Sequence, residues 1–379
     1  MAGPLRILHL HSSFSLGGKE ARAVRLMNVW GDKAVHTILS GVSGQLGARD
    51  AIETEIAVAF PQDAPSLTGQ LSLWRYRALA LYMQRFDLVL SYNWGAMDAV
   101  MAHRLFASVM RLPPLIHHED GFNSDETDGL KLRRNLFRRI ALGTASALVV
   151  PSEKLEAIAM HDWKQPRERV RLIRNGIDVA RYERIGDPAA IPGLVRTPGK
   201  LLVGTLAGLR PVKNLPRLVR AVGVHKDKLQ LVIVGDGPER ETILAEAAAM
   251  GLDDLHLPGF MTKPWQFVGL FDIFALSSDS EQFPISLVEA MAAGCPVVST
   301  DVGDVAHMVA PENRPFIVPP DDEDAFSLSL GKLANGTKLR ADIGMANRAK
   351  ARLCFAEADM IAAYARLYGQ AIARPGALL

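Results

Sequence analysis

Glu281 and Glu289 stand eight positions apart in the stretch SSDSEQFPISLVEAMAAGCPVVSTD, residues 277–301, with the uncharged FPISLV between them. An ionised carboxylate can accept hydrogen bonds from two neighbouring hydroxyls, which suits it to holding a sugar. Pro284 fits the first position of a helix, where its missing N–H would be unpaired anyway, and Gly294 fits the residue just past the end. These frame a short helix from about Pro284 to Ala293, with Glu281 in the preceding loop and Glu289 one to two turns in. The start of such a helix offers N–H groups to an anion such as phosphate. Carboxylates beside a phosphate repel it unless they face something else, and hydroxyls are the natural choice. The competing reading is a surface loop residue and a first-turn charge that merely complements the helix dipole.

Four further groups could do chemistry. Arg210 and Lys213, in AGLRPVKNLPRL, follow the strand-like run LLVGTLAG, and two cations there can neutralise a diphosphate that gains charge as its bond breaks. The alternative is a solvated loop pair. Gly17 and Gly18 allow close backbone approach ahead of a helix, or a plain tight turn. In PLIHHEDGFNSDE, residues 114–126, His118 and Asp120 are polar candidates at a strand end, whereas His117 fits a core histidine. Residues 127–143, TDGLKLRRNLFRRIALG, interleave five basic residues with Leu130, Leu132, Leu136, Phe137 and Ile140. Such a segment can lie on an anionic membrane, or form a domain helix with one buried face and a basic solvated one.

The elements that position these groups alternate between short apolar runs and amphipathic stretches. LRILHLH, DLVLSYN, PLIHH and SALVVPS predict strands, with helices between them. Residues 171–200 break the pattern with Gly, Pro, charge and an Asn175–Gly176 turn. The alternation then resumes with KLLVGTLAG, LQLVIVGDGP, DLHLPGF, DIFALSS and PVVST, and residues 355–374 predict a last helix. Two such blocks predict two α/β domains, each a doubly wound, Rossmann-like parallel sheet. We place them at 1–185 and 198–355, with 356–379 crossing back to complete the first. Ligands of such domains bind beyond the carboxyl ends of the strands, and a cleft between facing domains is the default site.

A length of 379 residues with 49% hydrophobic and 22% charged residues suits a globular chain of two domains. The formal charge of +2 gives no ground for nucleic acid as a partner. Cys295 and Cys354 form no CxxC or Cys/His arrangement, so neither a zinc site nor a disulfide framework is indicated, which fits a reducing cytosol. No secretory signal and no membrane-length apolar run is evident, so membrane contact would be peripheral, at the inner face of the plasma membrane.

SEQFPISLVEAMAAGCPVVSTDVGDVAHMV resembles the EX7E region of retaining glycosyltransferases of the GT-B fold, family 4. VRLIRNGIDVARY, LVIVGDGPERETILAEAAAMGLDDLHLPGF, ALVVPSEKLEAI and HSSFSLGGKEARAVRLMN resemble further family segments in the same order, so the likeness covers most of the chain. The resemblance implies a UDP- or GDP-linked sugar as donor, no cofactor and no essential metal. It implies that Glu289 holds the donor ribose and Glu281 the transferred sugar. The backbone at Phe283, Pro284, Ile285, Ser286 and Leu287 would face the diphosphate, Phe260 and Met261 the base, and Gly17 and Gly18 the phosphates or the acceptor. Lys213 matches a family cation, but the family's arginine position holds Gly208 here, with Arg210 two residues on. The family histidine position falls on Asp120, with His118 just before it, and Gln282 stands where glycine is common. The implied reaction moves a hexose-type sugar to a hydroxyl acceptor, whether lipid-linked, polysaccharide or another cell-envelope glycan. A nucleotide-sugar epimerase and a non-catalytic sugar-nucleotide-binding protein are the alternatives on the same fold.

Overall fold

The computed structural model describes residues 3–15, 17–122, 126, 130–183 and 186–379. Residues 127–129, which open the basic stretch, and 184–185, where the first domain is expected to end, lie outside the described residues, as do 123–125 of the loop beyond His118. The chain divides into two compact units, residues 1–174 with 360–379, and residues 175–359.

The first unit holds a seven-stranded parallel sheet of β1 (Leu5–His11), β2 (Ala34–Ser40), β3 (Val58–Ala59), β4 (Leu88–Tyr92), β5 (Leu115–His118), β6 (Ala147–Val150) and β7 (Val170–Leu172). Its order is β3-β2-β1-β4-β5-β6-β7, with Leu5 opposite Ala34 and Ile7 opposite Leu88. Among the described residues five helices connect the strands: α1 (Gly18–Trp30), α2 (Leu73–Met83), α3 (Met97–Met110), α4 (Leu132–Ala141) and α5 (Glu153–His161). Ser152 caps α5 by accepting from the Leu155 N–H at 3.1 Å. The C-terminal helix, Glu357–Ala371, packs Tyr364 and Tyr368 against Trp30 and the β1–β4 core.

The second unit holds a six-stranded parallel sheet of β8 (Leu201–Leu206), β9 (Leu229–Val234), β10 (Leu255–Gly259), β11 (Ile273–Leu276), β12 (Val297–Thr300) and β13 (Ile317–Val318), ordered β10-β9-β8-β11-β12-β13. Helices α6 (Leu215–Gly223), α7 (Arg240–Met250), α8 (Ile285–Ala293), α9 (Val305–Met308), α10 (Glu323–Asn335) and α11 (Thr337–Cys354) complete it. Its central strands are apolar without alternation because helices cover both faces: every residue of LQLVIV in β9 is buried. Both sheets are doubly wound and Rossmann-like, as the alternation predicts.

Candidate functional site

In the second unit the strand order reverses between β8 and β11, which opens a crevice beyond their carboxyl ends. The loop after β8 carries Arg210 and Lys213, and the loop after β11 carries Ser277 to Phe283. Hydrogen bonds lace the two together. The Asp279 N–H donates to the Val212 carbonyl at 2.9 Å and the Ser277 hydroxyl to the Lys213 carbonyl at 3.0 Å. The Asn214 side-chain amide, which also caps α6, donates to Asp279 at 3.0 Å. Across this seam the Lys213 ammonium meets Glu281 Oε1 at 2.5 Å, and the Ser278 hydroxyl donates to the same oxygen at 2.8 Å. Both side chains are largely shielded, at 15% and 11% exposure. Gly303 backs the loop with a positive φ of 58°, and a Cβ there would stand 2.6 Å from the Gln282 carbonyl oxygen and 2.7 Å from that of Glu281. Only glycine combines that conformation with that approach. Arg210 is exposed, and its Nε lies 3.4 Å from where a Gly208 Cβ would be, so its side chain leans back over the family's arginine position.

Helix α8 runs on from this loop. Pro284 is its cap residue, with φ −68° and ψ 112°, and the helix begins one residue later than the sequence suggests. Phe283 and Leu287 are core side chains, Phe283 edge-on to Phe355 at 5.6 Å, and Ile285 and Ser286 are half-buried. What residues 283–287 can offer a ligand is therefore chiefly backbone N–H at the helix start. Gly294 closes the helix at φ 81°. Glu289 accepts a 2.7 Å hydrogen bond from the Tyr182 hydroxyl. Burial pushes the Glu289 carboxyl up to about 7, with the Tyr182 hydrogen bond pulling the other way. Burial and the Glu289 charge push the Tyr182 phenol up, so it remains the donor. Tyr182 escaped the sequence reading, although it ends the quoted NGIDVARY segment. Phe260 is 65% exposed beyond β10, and Met261 packs on the unit's core. The Gln282 side-chain oxygen is buried with no hydrogen-bond partner among the described residues.

In the first unit the order reverses between β1 and β4. Gly17, in extended conformation, caps α1, and Gly18 is its first residue, both exposed beyond β1. One turn on, Arg22 grips Asp120 with both ends of its guanidinium, Nη2 meeting Oδ2 at 2.8 Å. Burial raises the Asp120 carboxyl, but Arg22 more than offsets this and holds it below the usual carboxylate range. Lys19 pairs with Glu20, whose carboxyl is raised by burial. Arg22 was the second partner missed by sequence reading.

His118 does not join this group. Its ring is 1% exposed and stacks on Tyr92 at 4.7 Å. Nδ1 must donate to the Ser91 carbonyl at 3.2 Å, so Nε2 accepts from the Tyr368 hydroxyl at 2.7 Å. Both nitrogens are committed, and burial pushes the ring down to about 3. His117 is likewise in the core, hydrogen-bonded to Ser91 at 2.9 Å. Of the two candidates at this strand end, Asp120 is the one placed beside other charged groups.

Comparison with known proteins agrees with this architecture. Residues 16–181 match the model for Glycosyltransferase Family 4, and residues 191–350 that for Glycosyl transferases group 1. The chain thus carries the two domains of a GT-B glycosyltransferase of the family 4 and group 1 kinds. The N-acetylgalactosamine-N,N'-diacetylbacillosaminyl-diphospho-undecaprenol 4-alpha-N-acetylgalactosaminyltransferase of Campylobacter jejuni is 28% identical, over 67% of this chain and 68% of its own. The matches span about half the length of most of the curated relatives. Among solved structures, Anabaena Alr3699/HepE in complex with UDP and glucose superposes with a TM-score of 0.77 at 20% identity, covering 95% of this chain and 98% of that one. WaaG, a glycosyltransferase involved in lipopolysaccharide biosynthesis, gives 0.69 at 16% identity, covering 98% and 100%. At these identities the superpositions establish the fold.

Proposed function

We propose that the protein is a retaining glycosyltransferase that moves a hexose-type sugar from a UDP- or GDP-linked donor to a hydroxyl of a cell-envelope acceptor. The observation that carries this reading is the Lys213–Glu281 pair, set at the strand-order reversal of the second unit beside the start of α8. In this reading the α8 N–H groups and Lys213 take the diphosphate, with Arg210 swinging in from the same loop. Glu289 accepts from the ribose hydroxyls, Glu281 from the transferred sugar, and the backbone at Phe260 and Met261 meets the base. Gly17 and Gly18 let a ligand approach the start of α1, and Asp120 supplies the polar contact that His118 has no nitrogen left to make.

The acceptor oxygen forms its bond to the anomeric carbon on the face from which the diphosphate departs. The sugar–phosphate bond breaks, its electron pair stays on the diphosphate oxygen, and that oxygen receives the acceptor's proton. No enzyme nucleophile is bonded to the sugar. The protein contributes positioning, and the cations Lys213 and Arg210 offset the charge developing on the leaving group without a metal ion. The undecaprenol-linked substrate in the Campylobacter relative's name supports a lipid-linked acceptor.

A panel of UDP- and GDP-sugars tests the reading by thermal stabilisation, since a ligand of the folded state raises the melting temperature by mass action. Stabilisation by one nucleotide series supports it, and indifference to all members overturns it. Conversion of the bound donor into a different sugar nucleotide without acceptor would instead identify an epimerase.

A further inference from the structure

Asn93 stands in a conformation that almost only glycine adopts. It is the first residue beyond β4, where the strand order of the first unit reverses, and it has φ 54° and ψ −174°. Arg111, Asn214 and Lys263 also take positive φ, but their ψ of 51–57° is that of an ordinary left-handed turn. Hydrogen bonds hold Asn93 in place. Its N–H donates to the His118 carbonyl at 2.8 Å, and its Oδ1 accepts from the Asp120 N–H at 2.8 Å. Gly95 seats the same loop on the one after β1, since a Cβ there would stand 2.1 Å from the Ser12 Cβ. Glycine at position 93 would relieve the backbone, so a side chain kept there at a cost points to a use for it.

Half of that side chain is already engaged. A backbone N–H can only donate, so the atom meeting Asp120 is Oδ1 and the orientation of the amide is fixed. Nδ2 is left over. Asn93 is half-buried, and its Nδ2 hydrogens meet no acceptor among the described residues. The residue it holds, Asp120, keeps an ionised carboxylate in the grip of Arg22. A free donor beside a carboxylate suits a group that both accepts and donates, and a hydroxyl is such a group. Lys19 and Arg22 are paired with Glu20 and Asp120, so neither is left for a phosphate.

We propose that Asn93 is a specificity-determining residue of the first unit: its Nδ2 donates to a hydroxyl of the acceptor glycan, and that hydroxyl donates in turn to Asp120. The inference rests on the transferase reading and names the group that reads the acceptor. The fixed backbone and the Oδ1 hydrogen bond hold the amide in its binding orientation beforehand, so little is lost in ordering it.

Transfer from the sugar nucleotide that stabilises the protein to the octyl glycosides of glucose, galactose, mannose and N-acetylglucosamine tests it, read by nucleoside diphosphate release and product mass. The parent should glycosylate at least one of them in a saturable way. Asn93→Gly removes the amide while relieving the backbone, so it should melt close to the parent and keep its affinity for the sugar nucleotide. Its KM for the glycoside should rise about two- to twelvefold, the loss of one neutral hydrogen bond, and its kcat should fall less. Asn93→Asp keeps an oxygen for the Asp120 N–H but has no hydrogen to give, and should show at least the same rise. One monodeoxy form of the glycoside, lacking the hydroxyl that Nδ2 meets, should bind the parent as weakly as it binds the variants. An unchanged glycoside KM in Asn93→Gly overturns the proposal. A parent-like KM in Asn93→Asp alone also overturns it, leaving Asn93 to hold Asp120 and nothing more. Sugar-nucleotide turnover without transfer to any of the glycosides overturns it too. Indifference of the parent to every sugar nucleotide would overturn the transferase reading, and this inference with it.

Discussion

Replacing Tyr182 by Phe should move the pH at which the donor is gripped. The phenol donates to Glu289 at 2.7 Å, and the carboxyl it supports titrates at about 7. A hydrogen bond to a charged group is worth about 1.5–3 kcal/mol, so its loss should raise that value by roughly one to two further units. Only the ionised carboxylate can accept from two ribose hydroxyls. At pH 7.5 the ionised fraction then falls from roughly three-quarters to roughly a quarter or less, weakening donor affinity about three- to twenty-five-fold. By pH 9.5 the variant should come within about a third of the parent. Calorimetric titration of nucleoside diphosphate across pH 6 to 9.5 reads the two profiles. A loss of equal size at every pH would show that Tyr182 touches the donor directly. Superimposable profiles would show that Glu289 is not the group whose charge governs binding.

Other perturbations follow from the same geometry. The Glu289 carboxyl is raised from an ordinary 4.5 to about 7, so its contribution to stability is present below 4.5 and lost as pH rises through 7. Glu289→Gln should therefore gain on the parent between pH 5 and 8, by up to about 3 kcal/mol in denaturant unfolding, and a constant difference would refute the burial argument. Gly303→Ala should cost about 1–2 kcal/mol for its left-handed backbone, plus a displaced Glu281 loop. Its turnover should fall more than its nucleotide affinity, measured side by side. Asp120→Asn leaves Arg22 nearly buried beside a neutral amide, so the melting curve should record a loss of about 3–5 kcal/mol. Arg22→Met paired with Asp120→Leu should recover much of it, and failure to do so would show that the pair does more than balance charge.

The sheets were legible because parallel strands covered on both faces are continuous apolar runs, and β9 and β11 stand out as such. The approach of Lys213 to Glu281 was foreseeable in outline, since each follows a strand and ligands gather where strand order reverses. Their direct pairing was not, because no local pattern says that β8 and β11 are neighbours. The Arg22–Asp120 pair, 98 residues apart, was hidden for the same reason. His118 shows a different limit: its place at a strand end looks exposed until the C-terminal helix brings Tyr368 onto its ring. In α4 the periodicity was plain, but Leu132 and Leu136 face outward because Arg138, wholly buried, pairs inward with Glu119 and Glu126. A hydrophobic pattern alone would have buried the leucines.

Release of nucleoside diphosphate from the stabilising sugar nucleotide, in the parent and in Lys213→Ala and Glu281→Ala, tests whether this pair serves the transfer. Both variants should still bind nucleotide while turnover falls roughly a hundredfold or more, because charge stabilisation and sugar positioning act chiefly in the transition state. Parent-like turnover in both variants would contradict the assignment of this pair to the reaction.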